Sequence, residues 1–391
     1  MKIGIITFHA SYNCGSILQC MALKEVLEKK NNKVDIINFS SKEQQKLYSA
    51  FYKKLTVKNI VKNFLCIPGR KVIRRHYEQY AKFIAETFEL KGTPYETTEE
   101  LKKNLPRYDM LIAGGDQVWN VNVEDFATAY FLDFADDTYK ISYSPSLGAT
   151  DINQSIHKEK YNQLLQQFNA ISCREVNGKK SLEKLTGREV ELLLDPTMLL
   201  TKEEWLTKIN VTVELPFSGE YIFYYAFSYS PENNQVIQKI AEENNLTVVV
   251  IDSKQWYIKG LSKYKNFVLC DETGPEAFIK FMKESKYVIT TSFHGTVFSL
   301  VFHKKFIYIN GNRIKTNDDR TSFILEQMDL MNKFIHSEEV TIDKLDEVID
   351  YSLIDFKVSK LREKASDYLD DNIDKASTFL QSKGKEHKSF S

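Results

Sequence analysis

The chain has 391 residues, 42% hydrophobic and 27% charged, proportions of a soluble globular protein with material for two or three domains. Its 53 lysines and arginines equal its 53 aspartates and glutamates, so no overall field draws nucleic acid to it. An anionic ligand must be held by local arginines and helix ends. Five scattered cysteines (Cys14, Cys20, Cys66, Cys173 and Cys270) show no CxxC or zinc spacing, which argues against a disulfide framework and for a reducing compartment. The first apolar run is too short for a signal peptide, and no segment approaches the roughly 20 apolar residues that span a bilayer. A cytoplasmic location, at most against the inner face of the membrane, is the expectation.

Lys2 to Phe8 reads as a buried strand, followed by a polar loop and a helical pattern from Ile17. A second strand, Val34 to Phe39, completes a βαβ unit whose first loop carries Asn13 and Gly15. Backbone N–H groups there can cradle an anion or a sugar hydroxyl, but one glycine does not make a dinucleotide loop. His9 and Cys14 lack a third group for nucleophile chemistry and read as structural. From Gln44 to Phe88 the pattern is helical. Lys53, Lys54, Lys58, Lys62, Arg70, Lys71, Arg74 and Arg75 alternate with Phe51, Tyr52, Phe64, Leu65 and Ile67. Two readings stand: a solvated helical excursion, or a face for a membrane or a lipid-phosphate acceptor.

Asp109 to Ala113 predicts another parallel strand, ending in Gly114-Gly115-Asp116-Gln117-Val118-Trp119-Asn120. Polar residues with a tryptophan at a strand end suit a sugar site, so Asp116, Gln117 and Trp119 are acceptor candidates, with an ordinary turn as the alternative. Lys140 to Leu147 gives the next strand, with Ser144 and Ser146 near its exit. Arg174 closes a short strand before a helix, where its planar fork can clamp a carboxylate or phosphate; the alternative is an ion pair with Glu175 or Asp195.

Pro196 marks a boundary, beyond which the alternation starts again. Strands are predicted at Tyr221 to Phe227, Thr247 to Ile251, Phe267 to Cys270, Tyr287 to Thr291 and Phe306 to Ile309. Helical patterns lie at Pro231 to Asn244, Pro275 to Glu284 and Gly295 to Phe302. Between a strand and one of these helices sits Ser292-Phe293-His294-Gly295-Thr296, placing a histidine on a strand-to-helix turn. Ligands bind at such turns in open α/β sheets, and histidine exchanges protons near neutral pH. Arg313 and Arg320 in the loop after Ile309 are further anion candidates. The expected organisation is α/β: two doubly wound, Rossmann-like domains (1–195 and 196–340) facing across a cleft, then charged helix from 341 and a frayed tail over 382–391. The first domain is expected to bind the acceptor. No carboxylate–histidine cluster has metal-ligand spacing, so no metal is expected.

Four stretches carry a family resemblance: TFHASYNCGSILQCMAL, YDMLIAGGDQVWN, KISYSPSLG with the later ISCRE and LLDPTMLL, and YVITTSFHGTVFSLVF with the arginine-bearing loop after it. In this order and spacing they resemble the polysaccharide pyruvyl transferases. The resemblance implies a GT-B-like fold and transfer of pyruvate from phosphoenolpyruvate to two hydroxyls of a sugar, giving a cyclic ketal and phosphate. It implies no cofactor, and as partners phosphoenolpyruvate and a sugar acceptor carried on a lipid-linked repeat unit. The family's active-site histidine falls on His294 and its donor-binding arginine on Arg174, with Ser292, Gly295, Thr296, Arg313 and Arg320 around the donor. Acceptor contacts are expected from Asn13, Gly15, Asp116, Gln117, Trp119, Ser144 and Ser146. One departure matters: the family resembles Arg-x-His where this chain has Ser292-Phe293-His294, so Arg320 or Arg313 must replace the missing guanidinium. A nucleotide-sugar GT-B transferase and a non-catalytic glycan-binding member are the alternatives.

Overall fold

A computed structural model describes residues 1–54, 56–90, 92–209, 215–311 and 318–389. Arg313 therefore lies outside the described residues. The chain opens with β1 (Lys2–Ile6), α1 (Cys14–Lys29) and β2 (Lys33–Ile36). Four helices follow, α2 (Lys42–Leu47), α3 (Val57–Leu65), α4 (Arg70–Phe88) and α5 (Thr98–Asn104), before β3 (Met110–Gly114) and β4 (Tyr139–Tyr143). These strands form a parallel sheet in the order β2-β1-β3-β4. Beyond them come α6 (Lys158–Leu165), β5 (Ser172–Cys173), α7 (Val176–Thr186) and β6 (Glu191–Leu192). β5 pairs with β6, and a bridge from Ile141 to Ala170 ties this pair to β4.

After α8 (Lys202–Lys208) the second sheet is built from β7 (Tyr221–Tyr225), α9 (Pro231–Glu243), β8 (Thr247–Val250), α10 (Ser253–Lys259), β9 (Phe267–Leu269), α11 (Gly274–Glu284), β10 (Tyr287–Thr290), α12 (Phe293–Val301) and β11 (Lys305–Ile309). α13 (Arg320–Gln327), β12 (Phe334–Ile335), α14 (Ile342–Asp346) and α15 (Tyr351–Ser389) finish the chain. This sheet is also parallel, in the order β12-β11-β10-β7-β8-β9. The strands read as near-continuous Ile, Val, Phe and Tyr runs because helices cover both faces.

Three differences from the sequence reading have local causes. β4 stops at Tyr143 because Ser144 takes a left-handed φ of 49°, which ends the strand. α4 is no solvated excursion: it buries Ile73, His76, Phe83, Ile84 and Phe88. It also docks on the second unit, where Arg75 and Gln79 bind Glu272, and His76 Nε2 meets Asp271 O at 3.1 Å. The tail, read as frayed from Ser382, is helical to Ser389, and α15 packs back on the first unit. Buried Ile354, Val358, Ala365, Leu369 and Ala376 form its docking stripe. Tyr368 Oη donates to Ser142 O at 2.9 Å, and Arg362 donates to Met198 O (2.6 Å) and Leu200 O (2.9 Å). One apolar core runs from β1 and α1 through α11 and α12 to α15, joining the two units. No helix among the described residues is long and apolar enough to cross a membrane.

Candidate active site

Each sheet reverses its direction of growth once. The chain lays β2 on one side of β1 and β3 on the other; β8 and β9 lie on one side of β7 and β10 on the other. A crevice opens beyond the strand ends at such a point. Here the two crevices meet, so the loops leaving β1, β3, β7 and β10 share one space.

β10 delivers the histidine. Ser292 caps α12, its Oγ accepting from Gly295 N at 3.5 Å. Position 295 has room only for glycine, since a Cβ would lie 2.8 Å from Thr290 Cβ and closer to its Oγ1. His294, 5% exposed, projects from this first turn against the first turn of α1. That turn is capped by Asn13, whose Oδ1 accepts from Gly15 N (2.9 Å) and Ser16 N (3.4 Å). Gly15 makes the approach possible: a Cβ there would sit 2.7 Å from His294 Cε1 and closer still to Nδ1 and Cγ.

Charged groups surround the other edge of the ring. Nε2 lies 3.8 Å from Asp195 Oδ2, and the same oxygen is 2.8 Å from Arg174 Nη2. The Arg174 and Arg320 guanidiniums sit 5.0 and 5.6 Å from the Phe293 ring centroid, so the residue between Ser292 and His294 is flanked by two arginines. Arg320 is held by Asp318 through Nε (2.8 Å) and Nη2 (2.7 Å), and its Nη atoms lie 3.1 and 3.2 Å from the Gln117 amide in the orientation that offers it oxygen. Asp116 accepts from Ser16 Oγ and from Gln117 N, the latter at 2.8 Å.

Burial lowers the His294 pKa below the usual imidazole value; Asp195 and Asp116 oppose this, while Arg174 and Arg320 add to it. The ring is neutral at pH 7. Burial pushes Asp116 upward, but His294, Arg174, Ser16 and Arg320 outweigh it and keep the carboxylate ionised. Glu175 is raised to about 7 by burial, against the pull of Arg320 and Arg174. Six buried atoms here have no hydrogen-bond partner among the described residues: Arg174 Nε, Nη1 and Nη2, Asp195 Oδ2, Glu175 Oε2 and His294 Nε2. The Arg174–Asp195 contact has the distance of an ion pair without hydrogen-bond alignment. A buried polar atom left unsatisfied costs about 1–3 kcal/mol, so these atoms favour a polar ligand that bonds to several of them. A cavity of about 30 Å³, room for a water, lies behind Arg174, Asp195 and Phe293. A cleft of about 410 Å³ opens from Asn13 and Ser292 outward and is walled by Tyr12, Tyr48, Tyr52, Tyr77, Tyr80 and Tyr225.

Of the residues singled out in the sequence, His294, Arg174, Arg320, Asp116 and Gln117 come together with Gly15, and Asn13 and Ser292 reach the cleft. Four need correction. Trp119 is fully buried, its Nε1 donating to Tyr130 O (2.9 Å) and its ring stacked on Phe131, so no sugar can reach it. Ser144 and Ser146 are fully buried and spent on the backbone: Ser144 Oγ donates to Leu193 O, and Ser146 Oγ accepts from Gly148 N. Thr296 is also inside, donating to Ser292 O at 3.2 Å. Gly15 and Gly295 serve close packing. Sequence reasoning treated Asp195 and Glu175 only as ion-pair partners and passed over Asp318 and the tyrosine wall. The strand-end carboxylate of LLDP was the available signal for Asp195.

The fold has counterparts among solved structures. A Listeria monocytogenes structure assigned as a UDP-N-acetylglucosamine 2-epimerase superposes with a TM-score of 0.51 at 12% identity, covering 93% of this chain and 90% of that one. The S. aureus MnaA–UDP co-structure gives a TM-score of 0.50 at 13% identity, covering 92% of this chain and 91% of that one. At such identities the likeness is one of architecture, two α/β units across a cleft as in GT-B proteins. No curated protein sequence matches significantly. Residues 13–313, which hold Gly15, Asp116, Arg174, Asp195 and His294, match the profile of the polysaccharide pyruvyl transferases, and the chain belongs to that family.

Proposed function

We propose that the protein transfers pyruvate from phosphoenolpyruvate to two hydroxyls of a sugar in a surface-polysaccharide precursor, forming a cyclic ketal and releasing phosphate. The observation that carries this reading is Arg174, a guanidinium only 4% exposed, ion-paired with Asp195 at 2.8 Å yet with no hydrogen bond to its nitrogens among the described residues, beside a His294 Nε2 in the same state. Such a fork matches a carboxylate or phosphate bidentately. Arg320, flanking Phe293 from its own side, stands in for the guanidinium that Ser292 lacks. The tyrosine-walled cleft receives the sugar, with ring faces for its C–H surfaces and hydroxyls for its polar edge.

A sugar hydroxyl attacks C2 of the donor while its proton passes by way of His294 to the methylene carbon, which becomes a methyl group. The C–O bond to phosphate then breaks, and a second hydroxyl closes the ring on C2. Two hydroxyl protons are given up; one balances the proton now on the methyl group and the other leaves with phosphate. His294, neutral and poised beside Asp195, takes the hydroxyl proton and returns it, a role worth roughly 10²- to 10⁴-fold in rate. Asp195 stabilises the imidazolium formed in between.

The test is phosphate release from phosphoenolpyruvate with lipid-linked sugar acceptors, with product mass showing the added ketal. Release is expected only with acceptor present, abolished by His294→Ala and strongly reduced by Arg174→Ala. Turnover of a nucleotide sugar without phosphate release from phosphoenolpyruvate would overturn the assignment.

A further inference from the structure

Helix α3 is built inside out. Val57, Ile60, Val61, Phe64 and Leu65 follow the i, i+3, i+4, i+7, i+8 spacing of one apolar face. In a globular protein that face packs inward, yet here Val57 is 81% exposed and Phe64 70%, and Ile67 beyond the helix is 56% exposed. The polar face is turned inward instead. Asn63 Oδ1 accepts from Tyr52 N (2.9 Å) and its Nδ2 donates to Tyr52 O (2.9 Å), while Asn59 Nδ2 donates to Lys54 O (3.0 Å). These bonds fix the rotation of the helix, so the apolar stripe is held outward by the fold.

The charge around the stripe is one-sided. Residues 51–76 contain eight lysines and arginines and no aspartate or glutamate, in a chain whose net charge is zero. Arg75 is paired with Glu272, and Lys62 lies over the Tyr52 ring at 4.7 Å; Lys53, Lys54, Lys58, Arg70, Lys71 and Arg74 are exposed. Apolar side chains bordered by cations match an anionic lipid surface, which takes the stripe between its acyl chains and the cations at its headgroups. A protein partner has to supply both an apolar groove and an acidic rim; the groove of Met328, Leu330, Val348 and Leu353 beside Glu326, Asp329 and Asp350 makes a second copy of this chain the rival occupant, which the dimer outcome below tests.

We infer that α3 and the basic residues beside it dock this protein on an anionic membrane. The placement has a purpose that rests on the pyruvyl-transfer reading: Tyr52 holds Asn63 with its backbone and lines the 410 Å³ cleft with its ring, so the docked helix sits at the rim of that cleft. A sugar on a lipid carrier then reaches His294 without leaving the bilayer surface.

Sedimentation of the full chain with vesicles of phosphatidylcholine, alone or mixed with phosphatidylglycerol, tests this without turnover. Binding is expected on the mixed vesicles and to weaken with salt. Ile60→Ser with Phe64→Ser should abolish it at unchanged melting temperature, and Lys54→Gln with Lys58→Gln should weaken it on the order of tenfold. No binding to the mixed vesicles, or binding that survives the serine variant, overturns the inference. So does a dimer dissolved by that variant in place of vesicle binding, which would make the stripe a contact between copies. Intact vesicle binding alongside failed phosphate release would fault only the reading of the site.

Discussion

Gly15→Ala is the sharpest probe of how the two units meet, because two effects of opposite sign compete there. Gly15 is in the first turn of α1 without a left-handed φ, so alanine alone would favour the helix by up to about 1 kcal/mol. Against this, the new methyl carbon would lie 2.7 Å from His294 Cε1 and closer to Nδ1 and Cγ. The ring cannot swing aside freely, being 5% exposed with Asp195 on its far edge and Phe293 packed edge-on at 5.3 Å. Overpacking a tight core costs about 1–3 kcal/mol. Contacts this close put the cost at the upper end of that range, so the clash wins, leaving a net loss of about 2 kcal/mol together with a displaced imidazole. A chain of this size should then melt a few degrees lower and release phosphate at least roughly tenfold more slowly, since a misplacement of about 1 Å is that costly. Calorimetry and acceptor-dependent phosphate release on the same preparation measure both. An alanine variant that melts higher and turns over fully would refute the contact between α1 and His294.

The remaining expectations concern titration and burial. A neutral His294 acting as base gives kcat/KM an acid limb below pH 6.5, because burial lowers its pKa; Asp195→Asn removes a group that raises it, so the limb should move to still lower pH while the rate falls. His76 titrates at about 4 in the fold, chiefly through burial, against 6.5 when exposed. The unfolded chain binds the extra proton between these values, so stability should fall as pH drops from 6.5 towards 4, by on the order of 3 kcal/mol. His76→Gln should flatten that part of a urea-midpoint profile; an unchanged slope would assign it to other groups. Trp119→Phe strands the Tyr130 carbonyl and leaves a cavity, costing about 1–3 kcal/mol, yet should leave KM for the acceptor unchanged. A raised KM would return Trp119 to the sugar site.

The architecture was legible because most strands of both sheets are short runs of branched and aromatic residues followed by a helical period, a signal that survives without tertiary context; β12, only Phe334 and Ile335, is too short to show it. His294 was legible for the same reason, since a strand-to-helix turn is readable from pattern alone. Its neighbours were not. Ser16 and Asp116 are 100 positions apart and bond directly, a pairing that depends on which side of β1 the chain lays β3. Trp119 shows the converse limit: its composition suits a sugar platform, but Phe131 and the Tyr130 carbonyl had already claimed it. The basic, aromatic stretch 51–76 disclosed its character but not its rotation, which two asparagines decide.

Arg362 ties α15 to the carbonyls of Met198 and Leu200, only a few residues past Asp195. The segment leading out of the first unit and the helix returning to it are thereby latched side by side. Loosening the latch at Arg362, the neighbour of Leu361 in the wall of the Arg174–Asp195 cavity, is thus a way to blur the aim of these groups without touching them.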